Sequence, residues 1–223
     1  MLSIVIPTLN AAARLPDCLK ALSEPPMEAE IIVADGGSVD GTPVLAKRLG
    51  ALVIKGPVGR GPQLAEGARQ AHGQWLLFLH GDTVLAPEWK QAVTDFIADP
   101  LNRERAGYFR FKLDDDNGAA RRMEKMVAWR CETFNLPYGD QGLLVSRSYY
   151  DKIGGYARIP LMEDVDILKR IGLVRLQELQ ADAVTSADRY RRDGYVLRPL
   201  RNLSLLALYL LGMEPEQLVK YYG

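Results

Sequence analysis

Two buried strands of this sequence end on a carboxylate, and acids so placed could bind a metal ion or a polar ligand. The apolar run Trp75 to Leu79 leads into His80-Gly81-Asp82, and the run Ile31 to Ala34 ends on Asp35. Turn residues bound each run, as is typical of buried strands. Open α/β sheets bind ligands at the carboxyl ends of their strands. We therefore expect the two carboxylates to converge on one crevice.

Each of these acids suits one part of a nucleotide-diphosphate ligand. Asp82 is a candidate ligand of Mg²⁺ or Mn²⁺, ions that one or two carboxylates and phosphate oxygens hold together. His80 is a candidate second metal ligand or phosphate donor. Asp35, followed by Gly36-Gly37, could accept hydrogen bonds from a nucleobase or ribose. A helix N-cap or a local turn is the alternative role of both acids.

Further charged residues suggest phosphate binding and proton transfer. Arg60 lies in a glycine-rich loop before a predicted helix, where backbone amides and a guanidinium favour phosphate. Asp164 follows Glu163 at a helix start, as a general base for an acceptor hydroxyl or as a helix cap. The segment from Arg189 to Arg192 could clamp a diphosphate leaving group or form a solvated charged loop.

Other nucleotide-binding signatures are missing from the chain. No Gly-Lys-Ser/Thr follows the glycine-rich loop, and the first strand lacks GxGxxG, which disfavours ATP hydrolases and NAD enzymes. The 28 basic and 28 acidic residues balance among 223, so no overall field attracts nucleic acid. Cys18 and Cys131 are too few for a disulfide framework and predict reduced, buried thiols.

The first half of the chain alternates strands with helices. Strand Ser3 to Ile6 stops at Pro7, and the helical spacing of Leu15, Cys18, Leu19 and Leu22 ends at Pro25-Pro26. Further strands are predicted at 31–34, 51–54 and 75–79, with helices between them. Four such steps predict an α/β fold with a mostly parallel sheet and helices on both faces.

The second half is less regular and ends in an apolar segment. Strands are predicted at 108–113, 143–145 and 174–179, with helices at 119–134 and 162–172. The stretch Leu203 to Met213 is too short for a spanning helix. It could pack into the core, form a homodimer or dock at a membrane edge. With no signal segment at the N-terminus, we expect a cytoplasmic protein, peripheral at the inner membrane if that helix docks.

Four segments resemble, in order and spacing, the family 2 glycosyltransferases with the GT-A fold. Within that family the chain is most similar to small bacterial members associated with radical-SAM and selenoprotein-like domains. The resemblance implies one GT-A domain over 1–223, with a nucleotide-binding half (1–100), an acceptor-binding half (101–195) and a C-terminal apolar helix (196–223). The segments are IVIPTLN at 4–10, VADGGSVDGT at 33–42, LHGD at 79–82 and MED at 162–164.

This resemblance implies inverting transfer of a sugar from a UDP- or GDP-sugar to an unidentified acceptor. By position, Asp35 contacts the base, Asp82 is the last acid of the family's D-x-D metal motif, and Asp164 is the catalytic base. The residues lining the nucleotide pocket would be Pro7, Thr8, Asn10 and Gly37, with Arg60, Arg189 and Arg192 near the phosphates.

The chain departs from the family at two positions. His80 stands where the family usually has Asp, which removes a negative charge and favours Mn²⁺ over Mg²⁺. The Arg189 to Arg192 stretch lacks the Gln and Trp of the Q-x-x-R-W motif, so processive synthesis is not expected. Two alternatives stay open at this point: a nucleotidyltransferase, and a non-catalytic module that binds sugar nucleotides.

Overall fold

The computed structural model describes residues 1–23 and 29–222, and eight strands in this part form one sheet. Across the sheet their order is β3-β2-β1-β4-β7-β6-β8-β5. The strands are β1 (Leu2–Thr8), β2 (Ala29–Asp35), β3 (Leu52–Lys55), β4 (Trp75–Phe78), β5 (Thr83–Leu85), β6 (Ala106–Leu113), β7 (Leu143–Ser146) and β8 (Leu176–Thr185).

The first four strands are parallel, as the alternation of strands and helices predicted. The second half adds β6 and β8, which run parallel to each other. Strand β7 is antiparallel to both β4 and β6, and β5 is antiparallel to β8. The start of β7 therefore lies at the edge where β4 ends, with Leu143 opposite Phe78.

Ten α-helices are described, and most connect successive strands. Three short 3-10 helices, Pro100–Glu104, Gly139–Gln141 and Leu173–Arg175, add tight turns. The α-helices are α1 (Leu15–Ser23), α2 (Thr42–Arg48), α3 (Arg60–Gln70), α4 (Trp89–Ala98), α5 (Gly118–Phe134), α6 (Arg147–Lys152), α7 (Glu163–Ile171), α8 (Asp188–Asp193), α9 (Leu197–Leu210) and α10 (Pro215–Tyr222).

Helices cover both faces of the sheet, and alternate strand residues belong to different cores. In β4, Leu76 and Phe78 pack with α3 and α5, whereas Trp75 and Leu77 pack with α1 and α4. Such two-sided burial explains why β4 is apolar throughout, without the alternation of a half-exposed strand. A third, smaller cluster joins α7 to α9 and α10 through Val165, Leu205 and Leu218 among others.

Three expectations about element limits were wrong. Pro7 does not stop β1, which runs on to Thr8. The pairing with β4 ends at Val5 opposite Phe78. In a parallel strand, the backbone N–H groups of successive residues point to opposite neighbouring strands. The nitrogen of Pro7 therefore points toward β4, but beyond the last paired residue, so the missing N–H of proline breaks no hydrogen bond of the sheet. Strand β5 was not predicted, and the C-terminal segment contains two helices instead of one.

The C-terminal helices contribute to the core, one of the roles predicted for the apolar segment. Leu205 and Leu206 of α9 are buried, while Leu203 and Leu210 are exposed. In the described ranges, no helix is long and apolar enough to cross a membrane. The predicted helix stop at Pro25-Pro26 lies outside the described residues.

Candidate active site

A cleft opens at the edge of the sheet where β4 and β8 end and β7 begins. Four groups predicted to do chemistry line it: Arg60, the pair His80 and Asp82, Asp164, and Arg189. They come from the start of α3, the loop after β4, the start of α7 and α8. Residues far apart in the chain therefore meet at one place, as the strand ends predicted.

Asp82 is the carboxylate in this cleft that is most available to a ligand. Its backbone carbonyl accepts from Ser186 at 3.2 Å, which fixes the loop against the end of β8. In the ranges described, its side chain makes no hydrogen bond or ion pair with another side chain. A partly buried carboxylate with both oxygens unengaged suits an external cation.

His80 is uncharged at neutral pH. The pKa of His80 is lowered to about 4: burial is the main cause, Arg60 and Arg189 act in the same direction, and Asp82 and Asp164 oppose it. A neutral imidazole keeps a lone pair available for a metal. A Cβ added at Gly139 would lie 2.9 Å from His80 Nε2, so only glycine lets the neighbouring loop approach this ring so closely.

Asp140 also lines the cleft, and the sequence analysis missed it. The pKa of Asp140 is raised to about 6: burial is the main cause, Asp164 and Asp82 act in the same direction, and Arg130 opposes it. Its Oδ1 is shielded from solvent and accepts no hydrogen bond from any described residue. A buried oxygen in this state is stabilised by a bound cation or donor.

Asp164 is held by two backbone amides. Gly139 N donates to its Oδ2 at 3.1 Å, and Val165 N donates to its Oδ1 at 2.8 Å. These bonds fix the carboxylate at the start of α7 with its free lone pairs facing the cleft. Met162, the residue just before α7, has a left-handed φ of 65°, a backbone conformation that is costly for a side chain of this kind.

Arg60 forms an ion pair with the buried carboxylate of Glu163. Its Nε is 3.0 Å from Oε1 of Glu163, whose side chain is 1% exposed. Burial raises the pKa of Glu163 to about 7 even though Arg60 opposes the shift. A Cβ at Gly61 would lie 2.4 Å from Ile159 O, so glycine at this position lets α3 begin directly against the loop that precedes α7.

The two arginines predicted to clamp a diphosphate occupy different places. Arg189 lines the cleft. Arg192 is not among the described residues that line it, because its guanidinium pairs with Asp193 at 2.7 Å and its side chain is 72% exposed. The assignment of Arg192 to the phosphates stays a prediction, and its place outside the cleft lining does not support it.

The residues predicted to bind the base lie beside the cleft, at the ends of β1 and β2. Asp35 accepts from Thr8 Oγ1 at 3.0 Å, from Gly37 N at 3.0 Å and from Ser38 N at 2.8 Å. Burial raises the pKa of Asp35, but these bonds outweigh it and the net shift is downward. The carboxylate thus makes the local turn that was the alternative to base binding. Pro7, like Thr8, is buried in β1.

The loop after β1 is tied to the loop after β2. Asn10, at a left-handed φ of 53°, accepts from Val39 N through its side chain at 2.9 Å. Gln63, which the sequence analysis also missed, donates from one buried Nε2 to Thr8 O and to Ala34 O, both at 2.7 Å. The two strand ends are thereby fixed relative to α3, next to the cleft.

A divalent cation fits this cleft only if a ligand completes its shell. Within residues 1–23 and 29–222, no three His, Cys, Asp or Glu side chains are grouped to hold a metal by themselves. The two side chains predicted to bind a metal, Asp82 and His80, both line the cleft. Mg²⁺ and Mn²⁺ are commonly held by one or two carboxylates together with substrate phosphates and water.

Comparison with known sequences identifies the family. The model of glycosyl transferase family 2 matches residues 3–155. A PGL/p-HBAD biosynthesis glycosyltransferase of Mycobacterium bovis is 40% identical over 93 residues, which are 38% of this chain and 36% of that protein. The match thus spans about a third of the relative's length. Asp164 lies beyond the part that the family model matches.

Solved structures with the same fold are glycosyltransferases of the GT-A type. The mannosyltransferase PcManGT of Pyrobaculum calidifontis, in complex with GDP-Man and Mn²⁺, has a TM-score of 0.67 at 16% identity, covering 99% of this chain and 67% of that one. For S. aureus TarS 1–349 the TM-score is 0.64 at 16% identity, with 99% and 69% covered. For glucosyl-3-phosphoglycerate synthase of Mycobacterium tuberculosis, bound to Mn²⁺, UDP and glucosyl-3-phosphoglycerate, it is 0.57 at 18%, with 83% and 70% covered.

Proposed function

The chain belongs to glycosyl transferase family 2, and we propose that it transfers a sugar, with inversion, from a UDP- or GDP-sugar to an acceptor hydroxyl. Membership of this family makes it an enzyme and disfavours the nucleotidyltransferase and the non-catalytic module. The observation that carries the proposal is the convergence of Asp82, Asp164, Arg60 and Arg189 on one cleft, beside the strand ends that carry Thr8 and Asp35.

The donor would lie along the carboxyl edge of the sheet. Its nucleoside would contact the loops after β1 and β2, and its diphosphate would reach the cleft at Asp82. Gly81 links the two regions, since a Cβ there would lie 3.4 Å from Thr8 Cγ2. Support for this donor class comes from neighbours of the same fold that bind UDP or GDP-Man.

Asp82 would hold a divalent cation, with His80 as a second donor and the donor's phosphates completing the shell. Such a cation neutralises the charge that develops on a leaving diphosphate. Arg60 and Arg189 would contribute positive charge to the same phosphates from α3 and α8. The presence of Mn²⁺ with fold neighbours supports a divalent ion, and His80 favours Mn²⁺.

Asp164 would act as general base in a single displacement. The acceptor oxygen forms a bond to the anomeric carbon on the face opposite the nucleotide, and its proton passes to Asp164. The bond from the anomeric carbon to the phosphate oxygen breaks, and the nucleoside diphosphate leaves with that electron pair. The backbone amides of Gly139 and Val165 hold the base in position for this transfer.

Calorimetric titration with UDP and with GDP tests the donor and metal assignments together. We expect one of the two nucleotides to bind in the presence of Mn²⁺, and at least tenfold more weakly without it. Asp82→Ala should remove this dependence on Mn²⁺. The matched control is Asp151→Ala, an exposed acid on α6 outside the cleft, which should bind like the wild type. Unchanged Mn²⁺ dependence in Asp82→Ala would contradict the metal role.

A further inference from the structure

An apolar groove lies between α5 and α9, on the acceptor side of the cleft. Met126, Trp129 and Phe134 of α5 form one wall, and Leu200 and Leu203 of α9 form the other. These side chains are unusually exposed for their type: Trp129 is 57% exposed and Leu203 is 59% exposed. Large apolar surface that is concave and open to solvent is typical of a binding site.

The groove is continuous with the catalytic cleft. Five residues line both: Tyr138, Asp140, Tyr190, Asn202 and Leu206. A single ligand could therefore occupy the groove with one end and reach the cleft with the other. Arg130 connects the two spaces, since its guanidinium lies 3.7 Å from the centre of the Tyr138 ring and Arg130 Nε donates to Leu136 O at 2.9 Å.

Polar groups without partners lie where the two spaces join. Asp140 Oδ1 and Asn202 Oδ1 are both shielded from solvent and accept no hydrogen bond from the described residues. Buried acceptors are stabilised when a ligand donates to them. The junction thus favours a hydroxyl-bearing end, whereas the groove favours an apolar one.

We propose that the acceptor is amphipathic: its hydroxyl reaches Asp164 through this junction while an acyl or aryl group of the same molecule occupies the α5–α9 groove. This inference rests on the proposed function and adds the class of its acceptor. A flat membrane surface would contact the outward leucines of α9 such as Leu197 and Leu210, which lie outside the groove lining.

Tryptophan fluorescence tests the groove directly. Trp129 is 57% exposed, whereas Trp75 is 8% and Trp89 is 1% exposed, so a change of emission on binding reports on Trp129. The probes are octyl β-D-glucoside below its micelle-forming concentration and methyl β-D-glucoside, which has the same hydroxyls without the chain. We expect a saturable blue shift with the octyl probe only, and its loss in Trp129→Phe.

Two substitutions on α9 separate the groove from the rest of the helix. Leu203→Glu places a charge in the groove and should weaken octyl-probe binding at least tenfold. Leu210→Glu changes a leucine of similar exposure, 57% against 59%, on the same helix but outside the groove, and should bind within twofold of wild type. Equal binding by Leu203→Glu and wild type would overturn the proposal. So would equal weakening by both variants, which indicates a diffuse surface.

Two further measurements distinguish the other occupants and the underlying function. If sedimentation shows a wild-type dimer that Leu203→Glu dissociates, a second copy covers the groove and the proposal fails. Slow hydrolysis of UDP- or GDP-sugars with Mn²⁺ is expected in wild type and in Leu210→Glu. Hydrolysis without a probe response overturns the acceptor class alone, whereas a probe response without hydrolysis of any donor overturns the proposed function.

Discussion

Asp35, Asp82 and Asp164 occupy one edge of the sheet, yet the chain holds their carboxylates differently. Asp35 is fully engaged by Thr8, Gly37 and Ser38. Asp164 accepts two backbone amides and keeps free lone pairs. Asp82 makes no side-chain bond to any described residue. At the residue scale, hydrogen bonding within the chain thus leaves Asp82 and Asp164 with more free acceptor capacity than Asp35, whose contact with a base stays a prediction.

Replacing the proposed base should abolish turnover while leaving the affinity for the donor nearly unchanged. In Asp164→Asn, donor hydrolysis, in which water takes the acceptor's place, should fall by a factor of roughly 10² to 10⁴, the usual contribution of a general base. Calorimetry should show donor affinity within a few-fold of wild type. Asp166→Asn, on the same turn of α7 but paired with Arg170, is the matched control. Hydrolysis within tenfold of wild type would exclude the base role.

Glu163 should make stability depend on pH. Its pKa is raised from the ordinary 4.5 to about 7 by burial. Between these values the unfolded chain releases the proton while the folded chain keeps it, so stability falls as pH rises and the loss is complete above about pH 7. The shift corresponds to on the order of 3 kcal/mol.

The stability of Glu163→Gln relative to wild type should therefore improve from pH 4.5 to 7, as measured by urea unfolding. Glu104→Gln is the control, because the Lys152 ammonium lowers the pKa of Glu104 and the relative stability of that variant should not improve with pH. A difference between Glu163→Gln and wild type that is independent of pH would contradict the raised pKa.

At the element scale, strand direction decides which loops reach the cleft. Asp35 and Asp82 could be predicted because β2 and β4 are parallel, so the residues that follow both strands lie at the same edge of the sheet. Asp140 precedes β7, which is antiparallel to β4, so its loop lies at the same edge although it comes before a strand. The Gly139-Asp140-Gln141-Gly142 turn was a visible signal. Only the antiparallel pairing makes it relevant to the site.

The contact of α3 with β1 allows a test of the element that carries Arg60. A Cβ at Gly67 would lie 2.3 Å from Val5 Cγ1, a severe overlap in the core. Overpacking of this kind costs about 1–3 kcal/mol, more than the gain of about 1 kcal/mol that alanine brings to a helix interior.

Gly67→Ala should therefore lower the free energy of unfolding, while Gly118→Ala should be neutral or stabilising. Gly118 is a fair control because an added Cβ would meet only Arg122 Nη1 at an ordinary 3.6 Å. Denaturant unfolding of both variants measures the difference. Equal stability of the two would show that α3 can move away from β1 without cost.

At the scale of the whole molecule, one sheet in the described part of the chain carries both the proposed donor side and the proposed acceptor side. Strands β1 to β4 carry the proposed nucleotide end, and β6 to β8 with α7 and α8 carry the opposite wall. Helix α9 closes that wall, since Arg198, Asn202 and Leu205 line the cleft. The predicted boundaries at residues 100 and 196 stay predictions. Helix α9 lies beyond residue 196 and still contributes side chains to the cleft.

The sequence by itself determined the βα half of the fold and the family, and it predicted roles for Asp82 and Asp164, which both line the cleft. These follow from local patterns: apolar strands, turn residues and an ordered set of motifs. Tertiary structure alone decided that Arg189 and Asp140 line the cleft while Arg192 does not. It also decided that the Asp35 carboxylate accepts hydrogen bonds from the turn that follows it. Each of these depends on strand direction and on hydrogen bonds between distant segments, which no local pattern encodes.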